Sequence, residues 1–580
     1  MAICLVALIV QTTGQDRESH WAFQPISEPI PPLTQGAGNA IDSFMDSNPE
    51  RALPRVLLRR LYFDLTGLPP TYEQIERFRK DSRPDALSRQ ADRLLASPAY
   101  GERQARRWLD LARYADTKDL VQTFGSERMR PYAFTYRNYV VRAFNENMPY
   151  DRFVTDQIAA DRVGADGEPW RLGALGFLTL GRLFDNNPHD RWDDQVDVVT
   201  RGLLGLTVSC ARCHDHKYDP LSQNDYYRLS AVLQTAYDPY DWVLPTERYL
   251  EVIPPSEREL IERHNAIVQE AINDLNEKLE QISKPLEESL FRSRLQSLPE
   301  VIREDVRKAV QDNSDEEDPV LKYLRTKFET FLTITRVMIE DGNREFQSEA
   351  QAIDKAISEK KKDLKELPKI RALYDMGGEP SSVYVLNRGD ALIPGDEVQP
   401  GVPVVLSKDL EPFLVVPPGP EAGTSGRRLA LAKWLVQPKH PLTSRVMVNR
   451  IWQEHFGSGI VSTPANFGVT GAFPSHPRLL DWLATEFVSR DWSIKEMHRL
   501  IVTSTAYRQS STRPDFEDAL DPDNSWLSRM TLRRMDAEQR YDSMLIATGQ
   551  LDPKAFGSPV PVIIEKDGEV VSEFGPSGGR

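Results

Sequence analysis

Apolar residues along this chain recur mostly at three- and four-residue spacing, the period that gathers them on one face of an α-helix. Leu57, Leu58 and Leu61 open the pattern. Asp64-Leu65-Thr66-Gly67-Leu68-Pro69-Pro70-Thr71 then supplies a glycine stop, two prolines and a hydroxyl that starts the next helix. After Ser97-Pro98, the residues Ala105, Trp108, Leu109 and Ala112 share a face. Ser222 and Asp225 stand three positions apart, a variant capping box that predicts a helix through Leu233. Residues 41–240 therefore read as one helical domain.

Between residues 255 and 368 the chain is charged and heptad-like, with Ile261, Val268, Leu275, Leu279 and Ile282 on an outgoing arm and Phe346, Ala350, Ile353, Ile357 and Leu364 on a return arm. This predicts an antiparallel coiled-coil-like hairpin with other helices between its arms, a surface that could serve oligomerisation. Residues 372–420 form a small β-containing linker, in which Val383-Tyr384-Val385-Leu386 and Val402-Pro403-Val404-Val405-Leu406 are expected to make a strand pair. Helical spacing returns over 425–580, through Leu431, Trp434, Val448, Ile451 and Trp452 to a C-cap glycine at Gly457, and again after the cap residue Ser493. The predicted class is a mainly α, multidomain helical protein with a coiled-coil-like insert and a small strand pair.

The ends and the charge add to this. Ala2 to Val10 is almost wholly apolar, the length of a signal-peptide core and too short for a membrane span, which takes about 20 residues. Residues 1–14 are read as a leader, which predicts a periplasmic or secreted protein; a buried N-terminal strand is the other reading. Residues 15–40, rich in proline and glycine from Gln24 to Gly38, read as a linker or extended arm. Lys and Arg number 72 against 87 Asp and Glu, a formal charge of −15, and no basic patch interleaved with aromatics stands out. That disfavours a nucleic-acid partner.

One short string carries distinctive chemistry. Cys210-Ala211-Arg212-Cys213-His214 has the Cys-x-x-Cys-His order of c-type haem attachment, in which two thiols reach the two vinyl groups of one porphyrin and the next imidazole meets the iron. In this reading Cys210 and Cys213 bind haem c, His214 is the proximal ligand and His189 the distal one. His216 stands too close to His214 to cross the ring, and no methionine lies between His214 and Met338. The role would be electron transfer or an oxidoreductase step with a redox partner protein. A Cys210–Cys213 disulfide, a catalytic dithiol and a zinc site that uses His214 or His216 are the other uses of such a pair. The remaining cysteine, Cys4, lies in the leader. Asp215, Asp219 and Asp225 could hold Ca²⁺ or act as acid and base, or could cap helices and pair with Arg212 or Lys217; capping or surface roles are expected for Asp194 and Asp197 as well.

Two segments resemble known families. The strings Leu61-Tyr62-Phe63-Asp64-Leu65-Thr66-Gly67, Trp108-Leu109-Asp110-Leu111-Ala112-Arg113-Tyr114 and Cys210-Ala211-Arg212-Cys213-His214-Asp215-His216-Lys217-Tyr218-Asp219-Pro220 are similar to the planctomycete secreted cytochrome-like domain of unknown function. Pro441-Leu442-Thr443-Ser444-Arg445-Val446-Met447-Val448-Asn449-Arg450, Asn466-Phe467-Gly468, Pro474-Ser475-His476-Pro477 and Ser504-Thr505-Ala506-Tyr507-Arg508 resemble the planctomycete secreted domain of unknown function. The resemblance implies export and the joining of both domains in one chain. It also implies a C-terminal domain that continues past Arg580. Within the second set, Arg445, Asn449, Arg450, His455 and His476 could line a cleft for an anionic or sugar-like ligand, or could be a buried network that holds helices together. Ser504 with His498 lacks the glycine pattern of a nucleophile elbow. The competing reading of the whole chain is a haem-free secreted hydrolase or carbohydrate-binding scaffold with Cys210 and Cys213 joined.

Overall fold

The computed structural model describes residues 17–572 apart from 33–38, 46–49, 117–129, 131, 165–167, 182–186, 242–247, 312–317, 378–379, 420–421, 513–520, 560–561 and 565–569. Residues 1–14 and Cys4 lie outside the described residues. The fold is mainly α, with 59% helix and 4% strand. No described helix is long and apolar enough to cross a membrane.

The chain divides into two compact units, Met1–Val252 with Lys369–Arg580, and Ile253–Pro368. In the first, the helix Pro54–Thr66 begins on proline at its first turn and stops at Gly67, whose φ of 71° suits the left-handed cap. It buries Leu57, Leu58, Leu61 and Leu65. The helix Pro98–Leu111 turns Ala105, Trp108 and Leu109 onto Phe134–Asn145 and Tyr150–Ala159, where the Trp108 and Phe153 rings meet edge to face at 4.8 Å. Trp108 Nε1 donates to the Tyr136 hydroxyl at 2.9 Å, so the indole is buried with its polar atom satisfied.

One hydrophobic core runs from this N-terminal set into the C-terminal helices Arg427–Leu435, Thr443–Phe456, Pro477–Ser489 and Ile494–Val502. Thr443–Phe456 is buried nearly all round, with Val446, Ile451, Trp452 and Phe456 at 1% exposure or less and the polar Ser444, Arg445, Asn449 and His455 buried beside them. Tyr150 N–H donates to the Trp492 carbonyl at 3.0 Å across the two halves. Buried Arg428 joins them again through Asp161 at 2.8 Å and Asp375 at 2.7 Å. The arm before residue 33 is docked: Ala22 and Phe23 are buried, Arg445 donates to the Gln24 carbonyl at 2.9 Å, and the Ser27 hydroxyl donates to Asp481 at 2.6 Å.

The strand pair differs in its second member. Val383–Leu386 pairs antiparallel with Pro394–Val398, and Val404–Leu406 is a 3₁₀ turn. Pro403 removes a ladder donor from that run, and the Val404 amide donates to Asp225 Oδ1 at 3.1 Å instead. Two further antiparallel pairs join Tyr249–Glu251 to Lys369–Arg371 and Val562–Ile564 to Val570–Ser572.

In the second unit, Pro255–Gln296 runs for 42 residues antiparallel to Arg344–Lys361. His264 meets the Asp363 carbonyl at 2.9 Å near one end, and Leu279 and Ile282 pack with Phe346 and Ala350 farther along. Glu300–Gln311 and Pro319–Leu332, between the arms, close their own small core on Val306, Ala309, Leu324 and Leu332.

Candidate functional site

The Cys-x-x-Cys-His string begins where a helix is forced to end. Pro188–Val199 continues as a π turn over Thr200–Leu204, and Gly205 at φ 63° terminates it. Leu206, Val208 and Ala211 are buried and anchor the short 3₁₀ helix Val208–Arg212, whose opposite side presents Cys210; Cys213 and His214 follow it, also exposed. Both cysteines are free thiols. Cys213 Sγ lies over Gly389, where an added Cβ would come within 2.7 Å of the sulfur; φ there is 73°, so glycine is favoured twice. His214 Nδ1 is 2.7 Å from the Asp215 carbonyl, a hydrogen bond in which the ring donates and which leaves Nε2 as the basic atom.

The second half of the string is structural. His216 Nδ1 accepts the amides of Asp219 at 2.8 Å and Tyr218 at 3.3 Å, so its proton sits on Nε2, facing Thr207 Oγ1 at 3.2 Å. Burial holds the His216 pKa below the ordinary value, with nearby Asp219 opposing. Asp215 accepts the Gln223 amide at 2.8 Å, and Asp225 closes the capping box on Ser222. Asp219 Oδ1 accepts the Val469 amide at 2.7 Å. The three carboxylates thus serve caps and a docking contact, and among the described residues no group of three or more His, Cys, Asp and Glu side chains is arranged to hold a metal.

Asp219 also ties Asn466-Phe467-Gly468 to the cysteine string. The Phe467 amide donates to the Gly205 carbonyl at 2.7 Å, the Phe467 ring packs 5.5 Å from Trp21, and a Cβ on Gly468 would overlap the Asp219 carboxylate. Gly468→Ala is expected to lower stability by about 1–3 kcal/mol through this overlap, read as a lower urea midpoint; an unchanged midpoint would refute the close approach.

His189 lies in the first turn of Pro188–Val199, its ring 6.4 Å from Trp192 and 5.8 Å from Tyr240, and its Nδ1 is buried without a hydrogen-bond partner among the described residues. The neighbouring Asp190 pairs with Arg212 at 2.8 Å, which ties this turn to the cysteine string. Asp194 pairs with Arg113 and Asp197 with Arg201.

In the C-terminal half, Arg445 binds Asp481 at 2.7 Å and the docked arm, and Asn449 clamps both backbone polar groups of Val461, at 2.8 and 3.0 Å. Both are buried and structural. His476 precedes Pro477–Ser489 with Nδ1 3.0 Å from Ser475 Oγ. Ser504 caps the turn Thr505–Arg508, accepting from the Tyr507 amide at 3.2 Å and donating to the Ile501 carbonyl at 2.7 Å, so it does not form a triad with His498.

His498 instead meets His455. His455 Nε2 and His498 Nδ1 are 2.7 Å apart, His455 Nδ1 is 3.6 Å from Asp64, and His498 Nε2 is 3.9 Å from Glu454. Asp64 also accepts from the Tyr507 hydroxyl at 2.9 Å and Arg533 at 2.5 Å. Burial alone would raise the Asp64 carboxyl, but Arg533, the neighbouring His455 and the hydrogen bond from Tyr507 hold it well below the ordinary carboxylate range. Burial, then the charges of His455 and Arg107, keep His498 well below its ordinary value. Asp64, Glu454, Tyr507 and Arg533 were not legible as one cluster, because 469 residues separate Asp64 from Arg533. The presence of Asp64 and Tyr507 in the recognisable strings was the available signal.

Comparison with curated proteins and with solved structures gives no match. Two family models do match: PSCyt2, Protein of unknown function (DUF1549), over residues 44–238, and PSD1, Protein of unknown function (DUF1553), over residues 427–574. The chain therefore belongs to the proteins that join an N-terminal PSCyt2 domain to a C-terminal PSD1 domain.

Proposed function

We propose that this is an exported protein that carries one c-type haem on Cys210, Cys213 and His214 and serves electron transfer or an oxidoreductase step with a redox partner. The observation that carries the reading is the arrangement of three adjacent donors on one exposed turn: two free thiols and an imidazole whose Nδ1 is held by the Asp215 carbonyl. Cys210 and Cys213 would hold the porphyrin through thioether bonds, each made by adding an S–H across a vinyl group, sulfur to one carbon and hydrogen to the other, which would need no oxidant. Bound there, haem would supply one-electron chemistry, tuned by its axial ligand and its exposure to water. His214 offers Nε2 as the proximal ligand, and His189, beside the string through Asp190 and Arg212, is the proposed distal one. Thiols presented to solvent also suit maturation outside the cytoplasm, where the leader would direct the chain.

Expression with cytochrome maturation machinery tests this. The wild type is expected to keep a haem-stained band on a denaturing gel and a Soret absorption, both lost in Cys210→Ala/Cys213→Ala, while His214→Ala keeps the porphyrin and changes the spectrum. A colourless protein whose mass is short by two hydrogens would replace the haem with a disulfide.

A further inference from the structure

A cavity of about 600 Å³ opens between helices of the two family domains, lined from Pro98–Leu111, Pro188–Val199 and Thr443–Phe456. Cys210, Cys213 and His214 are not among its walls. Five guanidinium groups face it, from Arg107, Arg113, Arg201, Arg450 and Arg533, against the carboxylates of Asp197 and Glu454. With Asp64 and Asp194 counted, which bind Arg533 and Arg113, five guanidinium groups meet four carboxylates, a local excess of one cation in a chain of formal charge −15. A guanidinium presents five donors in a rigid fork that matches the paired oxygens of a carboxylate or sulfate.

These forks are fixed from behind. Arg450 donates to the carbonyls of Gly202 and Arg201, Arg533 binds Asp64, Arg113 binds Asp194 and Arg201 binds Asp197 at 2.8 Å. Such contacts engage part of each donor set. Leu111, Val198 and Ala465 supply an apolar wall, and a mostly apolar hollow with a few convergent polar groups is the usual form of a small-molecule site.

Glu454, which pairs with Arg107, is the second carboxylate of the lining.

We propose that this cavity binds a small molecule bearing a carboxylate or sulfate group, held by the arginine cluster. The proposal does not depend on the haem. Isothermal titration of the full chain with D-glucuronate, inorganic sulfate and D-glucose tests it. D-glucuronate or sulfate is expected to bind and D-glucose not to bind. Which of the two anions binds tells a carboxylate ligand from a sulfate one. Arg201→Ala, at a side chain 45% exposed, should weaken binding by about tenfold or more. Ala465→Phe, which fills the hollow without changing charge, should abolish binding while far-UV circular dichroism stays unchanged. Silence from both anions, equal binding of D-glucose, or an undiminished affinity in Arg201→Ala would overturn the proposal.

Discussion

Asp64→Ala is expected to lower the unfolding free energy by about 3–5 kcal/mol, the range for removing one partner of a buried ion pair. Asp64 is 4% exposed, accepts from Arg533 and Tyr507 and stands 3.6 Å from His455 Nδ1, all three groups coming from the C-terminal half of the chain. Without it, the Arg533 guanidinium is left beside Arg60 and Arg107, with like charges nearby. The size of the loss comes from the stranded cation more than from the lost bond, which a double substitution separates. Asp64→Ala/Arg533→Met should cost less than the sum of the two single changes, because neither charge is left alone. Urea unfolding of the three variants reads this directly, and a loss under about 1 kcal/mol in Asp64→Ala would mean that water already reaches the pair. The pH dependence has a fixed sign. A carboxyl held below its unfolded value contributes stability that is complete above about pH 4 and is lost as pH falls toward the folded value.

The same residues show where reading the chain succeeds and where it stops. Caps and periodicity are local, and so Gly67, Ser222 with Asp225, Gly457 and Ser493 could be placed from neighbours a few positions away. The heptad-like spacing of Ile282 and Phe346 is local too, and these residues meet in one small core. The strand pairing of Val402–Leu406 failed because a β-branched run is only a propensity, and Pro403 together with an acceptor 179 residues away decided its conformation. The thiols and imidazole of the haem-type string were legible for a related reason: their chemistry needs them adjacent in sequence. The arginine-lined cavity and the Asp64–His455–His498–Glu454 series need no such adjacency. Their members come from helices far apart in sequence, and single residues such as Arg107 or Glu454 look like ordinary surface charges until the fold brings them together. Even Asp219 and Gly468, which lie in separate recognisable strings, gave no sign that each string exists partly to contact the other.

Acid is expected to destabilise the larger unit in a window set by its buried histidines. His440 sits between Arg427–Leu435 and Thr443–Phe456 at 1% exposure, its Nδ1 accepting the amides of Leu442 at 3.2 Å and Thr443 at 3.3 Å and its ring edge-on to Trp434 at 4.6 Å. Burial pushes its pKa down to about 3, and His498 is likewise held neutral. In the unfolded chain both take a proton near pH 6.5. Below that value the unfolded state binds protons that the folded state refuses, so stability is complete above about pH 6.5 and falls as pH drops toward the folded values. For two such groups the loss by pH 5 is about 4 kcal/mol. Burial shifts His20, His189 and His216 in the same direction and steepens the fall. Asp156, Asp193 and Asp194, whose carboxyls burial raises, act in the opposite sense nearer the carboxylate range, so the histidine slope is cleanest between pH 6.5 and 5. His440→Asn keeps an acceptor for the two amides and cannot be protonated in this range, and should remove up to about half of the slope. Urea midpoints that stay constant from pH 7.5 to 5 in the wild type would show that these imidazoles are hydrated and that the helix junction at His440 is open to water.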